Sequence, residues 1–101
     1  MRTLEVRVPH GLEPVEVRRR LDDALARARD DLGGNVSEID ARWEDSDRLA
    51  FLLGVMGLRI NGRVEVLVGE LVVQVDLPAT ALLFKGRIRE GIQERLGGLL
   101  T

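Results

Sequence analysis

The sequence predicts a single α+β domain, an antiparallel five-stranded sheet with two helices packed on one face, in the order β-α-β-β-β-β-α. Three observations lead there. Two segments carry apolar residues at spacings of three and four, the period of a helix with one buried side. Four segments alternate apolar and polar residues, the period of a strand with one buried face, and a fifth between them is a short apolar run bounded by turn signals. The last four strands follow one another through short turns, which builds an antiparallel meander. The first strand then has to pair with an edge of that meander, and pairing with the fifth strand leaves both helices on the apolar face. A chain of 101 residues is long enough for one such domain and too short for two.

The first strand is written in Leu4, Val6 and Val8, alternating with Glu5 and Arg7 and ending at Pro9. His10-Gly11 makes the turn. Pro14 suits the first position of a helix, where its missing N–H costs nothing, and Leu12 and Val17 stand where a hydrophobic staple would close. Val17, Leu21, Ala24, Leu25, Ala28 and Leu32 form the buried stripe, with Arg18, Arg19, Asp22, Asp23, Arg29 and Asp30 opposite. Gly33-Gly34 is expected to stop this helix.

Ile39, Ala41 and Trp43 define a second strand, and Asp45-Ser46-Asp47 a turn. A third strand runs from about Arg48 to Val55. The fourth points Leu58, Ile60, Val64 and Val66 inward, and the fifth Leu71, Val73, Val75 and Leu77, with a tight turn at Gly69-Glu70 between them. Pro78 ends the fifth strand. Phe84, Ile88, Ile92, Leu96 and Leu99 then outline the second helix, with Thr80 as its N-cap. Gly86 and Gly91 lie inside it, where small residues would let it approach the sheet closely, and Gly97-Gly98 should fray its end.

The composition excludes several classes of function. Fifteen basic and 17 acidic residues are interspersed, for a net charge of −2, which leaves no basic footprint for nucleic acid. Three aromatic residues, Trp43, Phe51 and Phe84, give no stacking platform for single strands. The absence of cysteine excludes a disulfide framework and a thiol nucleophile, and is compatible with a reducing compartment. The N-terminal residues carry no apolar core of a signal peptide. The most apolar stretch, Leu49 to Leu58, covers about half a bilayer and holds two glycines, so no membrane-spanning helix is expected. A cytoplasmic location follows as the default.

No catalytic constellation can be assembled, so no enzymatic activity, cofactor or metal is expected. His10 is the one histidine. In a turn before a helix, an imidazole commonly bonds backbone groups, the alternative being a pH-sensitive or ligand contact. Asp22-Asp23 and Asp30-Asp31 are neighbours that point about 100° apart on a helix, and the arginines around them make solvated ion pairs the simpler reading. Asp45 and Asp47 fall short of a calcium loop, which needs further ligands and a terminal Glu. Gly54, Gly57 and Gly62 do not form a phosphate loop and read as bulges or close backbone approaches. Lys85, the one lysine, has no ionisable partner placed to activate it.

One feature exceeds an ordinary alternation. Leu49-Ala50-Phe51-Leu52-Leu53 is apolar on both faces of its strand, and Leu67 and Val72 are apolar on the otherwise polar face. Either a bend buries that strand on both sides, or Leu49, Phe51, Leu52, Leu53, Leu67 and Val72 form an interaction patch on the open sheet face.

With these segments in place, the chain resembles the polyhydroxyalkanoic acid system protein family of granule-region proteins. The resemblance rests on the strand leading to His10-Gly11-Leu12, on Leu21, Ala24 and Leu25, and on Ala41-Arg42-Trp43-Glu44 and Phe51. It continues through Ile60-Asn61-Gly62-Arg63-Val64, Val73-Gln74-Val75-Asp76-Leu77-Pro78 and Phe84-Lys85-Gly86-Arg87-Ile88. The chain departs from the family pattern in its longer apolar run between Phe51 and Ile60. The resemblance implies a bacterial, cytoplasmic protein linked to polyester storage granules, with no catalytic residues to carry over. The element order is also similar to helix-grip domains that bind apolar ligands. Two expectations follow. One is a non-enzymatic accessory protein, a homodimer or a partner of the granule surface or a granule-associated protein. The alternative is a small binder of acyl groups between the last helix and the sheet.

Overall fold

A computed structural model of the chain describes residues 2–30, 36–55 and 57–101. Strand β1 (Arg2–Pro9) leads into helix α1 (Pro14–Asp30), and the meander β2 (Val36–Trp43), β3 (Arg48–Val55), β4 (Leu58–Val66) and β5 (Glu70–Leu77) follows. A 3-10 segment over Ala79–Phe84 then opens into α2 (Lys85–Leu99). All pairs are antiparallel and the strand order is β1-β5-β4-β3-β2, so β1 returns beside β5 as the alternation required. The two strand turns that need a left-handed residue have glycine there, Gly57 at φ +80° and Gly69 at φ +85°, a backbone state open to glycine without a steric cost. Leu32, Asp31 and the helix stop at Gly33-Gly34 lie outside the described residues.

The core is the helix-covered face of the sheet. Leu4, Val6 and Val8 of β1 stand in register with Val75, Val73 and Leu71 of β5, and all six are at most 3% exposed. Val64 and Val66 extend the layer on β4 and Leu49 on β3, while Val17 and Leu21 of α1 close it from above. Burial of each such side chain stabilises by about 1.5–3 kcal/mol relative to exposure. Leu12 packs on the same cluster, next to Val17 as a staple would place it.

Phe51 also belongs to this face. It stands opposite Gly62 on β4, and its ring lies where a side chain at 62 would be. A methyl at Gly62 would overlap that ring and come within 2.7 Å of the Gln74 carbonyl. Gly62 is thus a close approach, filled by an aromatic side chain from the neighbouring strand. Gly54 faces a bulge: the β2 register shifts between Val36 and Glu38, the Ser37 hydroxyl donates to the Gly54 carbonyl at 3.3 Å, and a Cβ at 54 would meet Ser37 Oγ at 2.8 Å.

Trp43 anchors α1 to β2. Its Nε1 donates to Asp22 at 2.8 Å, and the Arg18 guanidinium sits 4.4 Å above the ring, a cation–π geometry. Each edge of the sheet is met by an arginine from a helix. Arg29 of α1 donates to the Ala41 carbonyl of β2 at 3.3 Å, and Arg89 of α2 to the Glu5 carbonyl of β1 at 3.1 Å. Free strand carbonyls invite another strand, and an arginine on them discourages it.

The last helix differs from the expectation in three ways. Thr80 does not cap it: the chain enters a 3-10 turn closed by Ala81 N–H on the Pro78 carbonyl at 2.9 Å, and α2 begins only at Lys85. The tighter winding shifts the phase, so Ala81 and Leu82 reach the core while Phe84 is 52% exposed. Ile88, Ile92, Leu96 and Leu99 keep the predicted stripe. Gly86 and Gly91 do not serve a close approach, since a methyl at either meets nothing within 4 Å. The helix also runs through Gly97-Gly98 to Leu99, and the buried Leu100 bonds back to the Leu96 carbonyl at 3.0 Å. Arg20 of α1 holds that end, donating to the Leu99 and Thr101 carbonyls at 3.0 and 3.2 Å.

Arg20 is itself oriented by Glu16, which also accepts from Arg19 at 2.6 Å. The Arg19 hydrogen bonds, seconded by those of Arg20, bring the Glu16 carboxyl from its ordinary 4.5 to about 2. A carboxyl lowered on folding stabilises the fold above its unfolded value, and that contribution is lost as pH falls through the folded one. An acid titration of the thermal midpoint should therefore decline between pH 4.5 and 2, and Glu16→Gln should flatten that slope. In urea unfolding, Gly62→Ala should destabilise by about 1–3 kcal/mol through overpacking. Gly86→Ala and Gly91→Ala should each stabilise by about 0.5–1 kcal/mol by restricting the unfolded chain.

Candidate functional site

The open face of the sheet is the surface the helices leave uncovered. The register builds it in rows, because opposed residues of antiparallel strands share a face. One row runs Arg7, Val72, Glu65, Arg48; the next Glu5, Gln74, Arg63, Ala50, Arg42; the third Thr3, Asp76, Asn61, Leu52, Asp40. The face is therefore polar, with three apolar residues set into it.

The doubly apolar segment divides by this register. Leu49, Phe51 and Leu53 lie on the helix-covered face, opposite Val64, Gly62 and Ile60; Leu49 is 3% exposed. They cannot belong to an open-face patch, because strand geometry sends alternate residues to opposite sides. Ala50 and Leu52 are the residues of this segment that reach the open face. Val72 is on that face but is 7% exposed, flanked in register by Arg7 and Glu65. These charged neighbours pair outward, Arg7 with Glu70 at 2.6 Å and Glu65 with Arg48 at 3.8 Å. Leu67 is half-buried in the β4–β5 turn, where its N–H bonds the Glu70 carbonyl at 3.0 Å. Of the six residues read from the sequence, Leu52 alone combines the open face with partial exposure.

The middle of the open face is hollow. A depression of about 500 Å³ is lined by Thr3, Arg42, Ala50, Asn61, Arg63, Gln74 and Asp76 among others. A second, of about 250 Å³, extends it over Asp40 and Leu52 and shares Arg42, Ala50 and Asn61 with the first. Arg42 and Arg63 flank Ala50, one on each neighbouring strand. Arg63 Nε pairs with Glu44 at 3.3 Å, and Thr3 donates its hydroxyl to Asp76 at 3.0 Å. Gln74 donates to Glu5 at 3.2 Å, and this bond, with the Arg7 charge, holds the Glu5 carboxyl below its ordinary range. Sequence reading placed Arg42, Asn61, Arg63, Gln74 and Asp76 on the outward side without joining them. The strand register was the signal that could have done so.

Most of the other residues singled out from the sequence are engaged in the fold. His10 Nδ1 accepts from the Leu12 N–H at 3.2 Å, which leaves Nε2 to carry the proton and donate to the Leu67 carbonyl at 3.0 Å. The imidazole thus ties the turn after β1 to the turn between β4 and β5, a backbone role. Asp22 holds Trp43, and Asp23 accepts from Arg19 at 2.9 Å. Asp45 accepts from the Asp47 and Arg48 N–H groups at 2.9 Å each, an Asx turn. Lys85 and Asp30 are exposed. Among the described residues, no three His, Asp or Glu side chains cluster as a metal site, and no helix is long and apolar enough to cross a membrane.

No curated protein matches the chain in sequence. A family model described as "Putative polyhydroxyalkanoic acid system protein" matches residues 4–100, which takes in both helices, all of the sheet but the first two residues of β1, and the whole open-face depression except Thr3. The chain belongs to this polyhydroxyalkanoic acid system family.

Proposed function

We propose that the protein is a non-enzymatic interaction component of a polyester storage system, and that it meets the granule surface or a granule-associated protein through the open face of its sheet. The observation that carries this reading is that both helices pack on one face, leaving the other with a hollow, side-chain-rich surface in a chain whose family is tied to polyhydroxyalkanoic acid. The acidic residues best suited to chemistry are engaged with Trp43, arginines and backbone N–H groups. Arginines on both sheet edges disfavour strand-to-strand association of a second copy.

An acyl-group binder between α2 and the sheet has less support. The two depressions on this surface are lined by strand residues and the Glu44 turn, neither by Phe84 or Ile88. Gly54 and Gly62 leave no empty volume, since a methyl at either meets neighbouring atoms.

Cosedimentation of the purified protein with polyester granules tests the proposal, with light scattering to record its mass. The protein should pellet with the granules. Leu52→Asp, on the open face, should lower the bound fraction severalfold, and Val15→Asp, an exposed site on α1, should not. A monomer that stays in the supernatant would overturn the reading.

A further inference from the structure

We infer that the open-face depression is a binding site for a small hydroxylated carboxylate. Arg42 and Arg63 stand on β2 and β4 on either side of Ala50. The small alanine separates the two longer side chains, and among the described residues the Arg63 guanidinium is engaged at Nε, by Glu44. Among the described residues Arg42 has no ion-pair or side-chain hydrogen-bond partner, and it lines both depressions. Forked guanidinium groups at the wall of a hollow match the planar, two-oxygen acceptor of a carboxylate.

The rest of the lining selects among anions. The Asn61 amide on β4, diagonal to Gln74 on β5, offers a donor and an acceptor suited to hydroxyl or carbonyl oxygens, and Gln74, which gives one N–H to Glu5, keeps its side-chain carbonyl. Asp76 accepts the Thr3 hydroxyl through one carboxylate oxygen and has a second to accept a ligand hydroxyl. The carboxylates of Asp76 and Glu44, with Asp40 in the adjoining depression, oppose a doubly charged phosphate more strongly than a singly charged carboxylate, since the repulsion grows with the ligand's charge. A purely apolar acyl chain meets a mostly polar lining, in which Ala50 and Leu52 are the open-face apolar side chains beside Phe51 and Ala41 of the covered face. A volume of about 500 Å³ falls within the range of small-molecule sites, about 300–1,000 Å³.

This inference uses the same face as the proposed granule contact but does not depend on it. The test is a titration of the full chain with 3-hydroxybutyrate, followed by backbone amide NMR shifts, with butyrate and inorganic phosphate as separate arms. Saturable shifts are expected at Arg42, Ala50, Asn61, Arg63 and Gln74, weaker with butyrate and weakest with phosphate. Arg42→Gln should weaken the 3-hydroxybutyrate affinity by about tenfold or more, the scale of one charge-assisted hydrogen bond, without moving the unfolding midpoint. No saturable shifts, shifts confined to another surface, phosphate binding as tightly as the hydroxy acid, or an unaffected Arg42→Gln would each overturn the inference. A protein that binds the hydroxy acid yet ignores granules would leave this site standing and remove the granule contact alone.

Discussion

The rest of the molecule hangs on the burial of one side of β5. Leu71, Val73, Val75 and Leu77 are each at most 3% exposed, with β1 on one flank and β4 on the other. Side chains alternate strictly along a strand, so burying that side commits Val72, Gln74 and Asp76 to the opposite one. The return of β1 to this strand is what makes the arrangement possible. It completes the apolar layer that α1 and α2 cover, and it adds Thr3, Glu5 and Arg7 to the open face. The core and the polar hollow are two sides of one register.

The helices contribute unequally to holding that layer. Helix α1 brings fully buried Val17 and Leu21 and is fastened by Trp43, Asp22 and Arg18. Helix α2 has no fully buried residue and carries Gly86, Gly91, Gly97 and Gly98 with open space at every Cβ position. Glycines lower helix propensity by up to about 1 kcal/mol each against alanine. The helix therefore relies on the Ile88, Ile92, Leu96 and Leu99 stripe, on Leu100, and on Arg20 at its end. The charged face of the sheet adds little by comparison, since exposed ion pairs such as Arg7–Glu5 and Arg59–Glu38 are individually worth about 0–1 kcal/mol. Its charges shape a surface more than they stabilise a fold.

Much of this was legible in the amino-acid sequence, and the failures have identifiable causes. Clean alternation in β1, β4 and β5 announced which residues face inward, and the place of β1 beside β5 followed from keeping both helices on one side. Leu49 to Leu53 defeated the same logic because apolar residues at every position carry no phase. The missing information was Gly62: only the three-dimensional register shows that Phe51 fills the space above that glycine and so belongs to the core. Phe84 misled because a helical spacing was extended back through a segment that winds as a 3-10 turn. The open-face hollow escaped because its residues come from strands far apart in the chain, each looking like ordinary solvated polarity until Arg42, Ala50 and Arg63 are set in one row.

The assignment of β3 to its two faces is the central claim, since it moves the functional surface from an apolar patch to a polar hollow. The absence of native cysteine makes a thiol-labelling measurement direct. Single Leu49→Cys, Ala50→Cys and Leu52→Cys variants can be labelled in the folded state and compared with their unfolded rates. The account predicts strong protection at position 49 and fast labelling at 50 and 52. Protection at 50 and 52 with a reactive 49, or equal protection at all three, would contradict it.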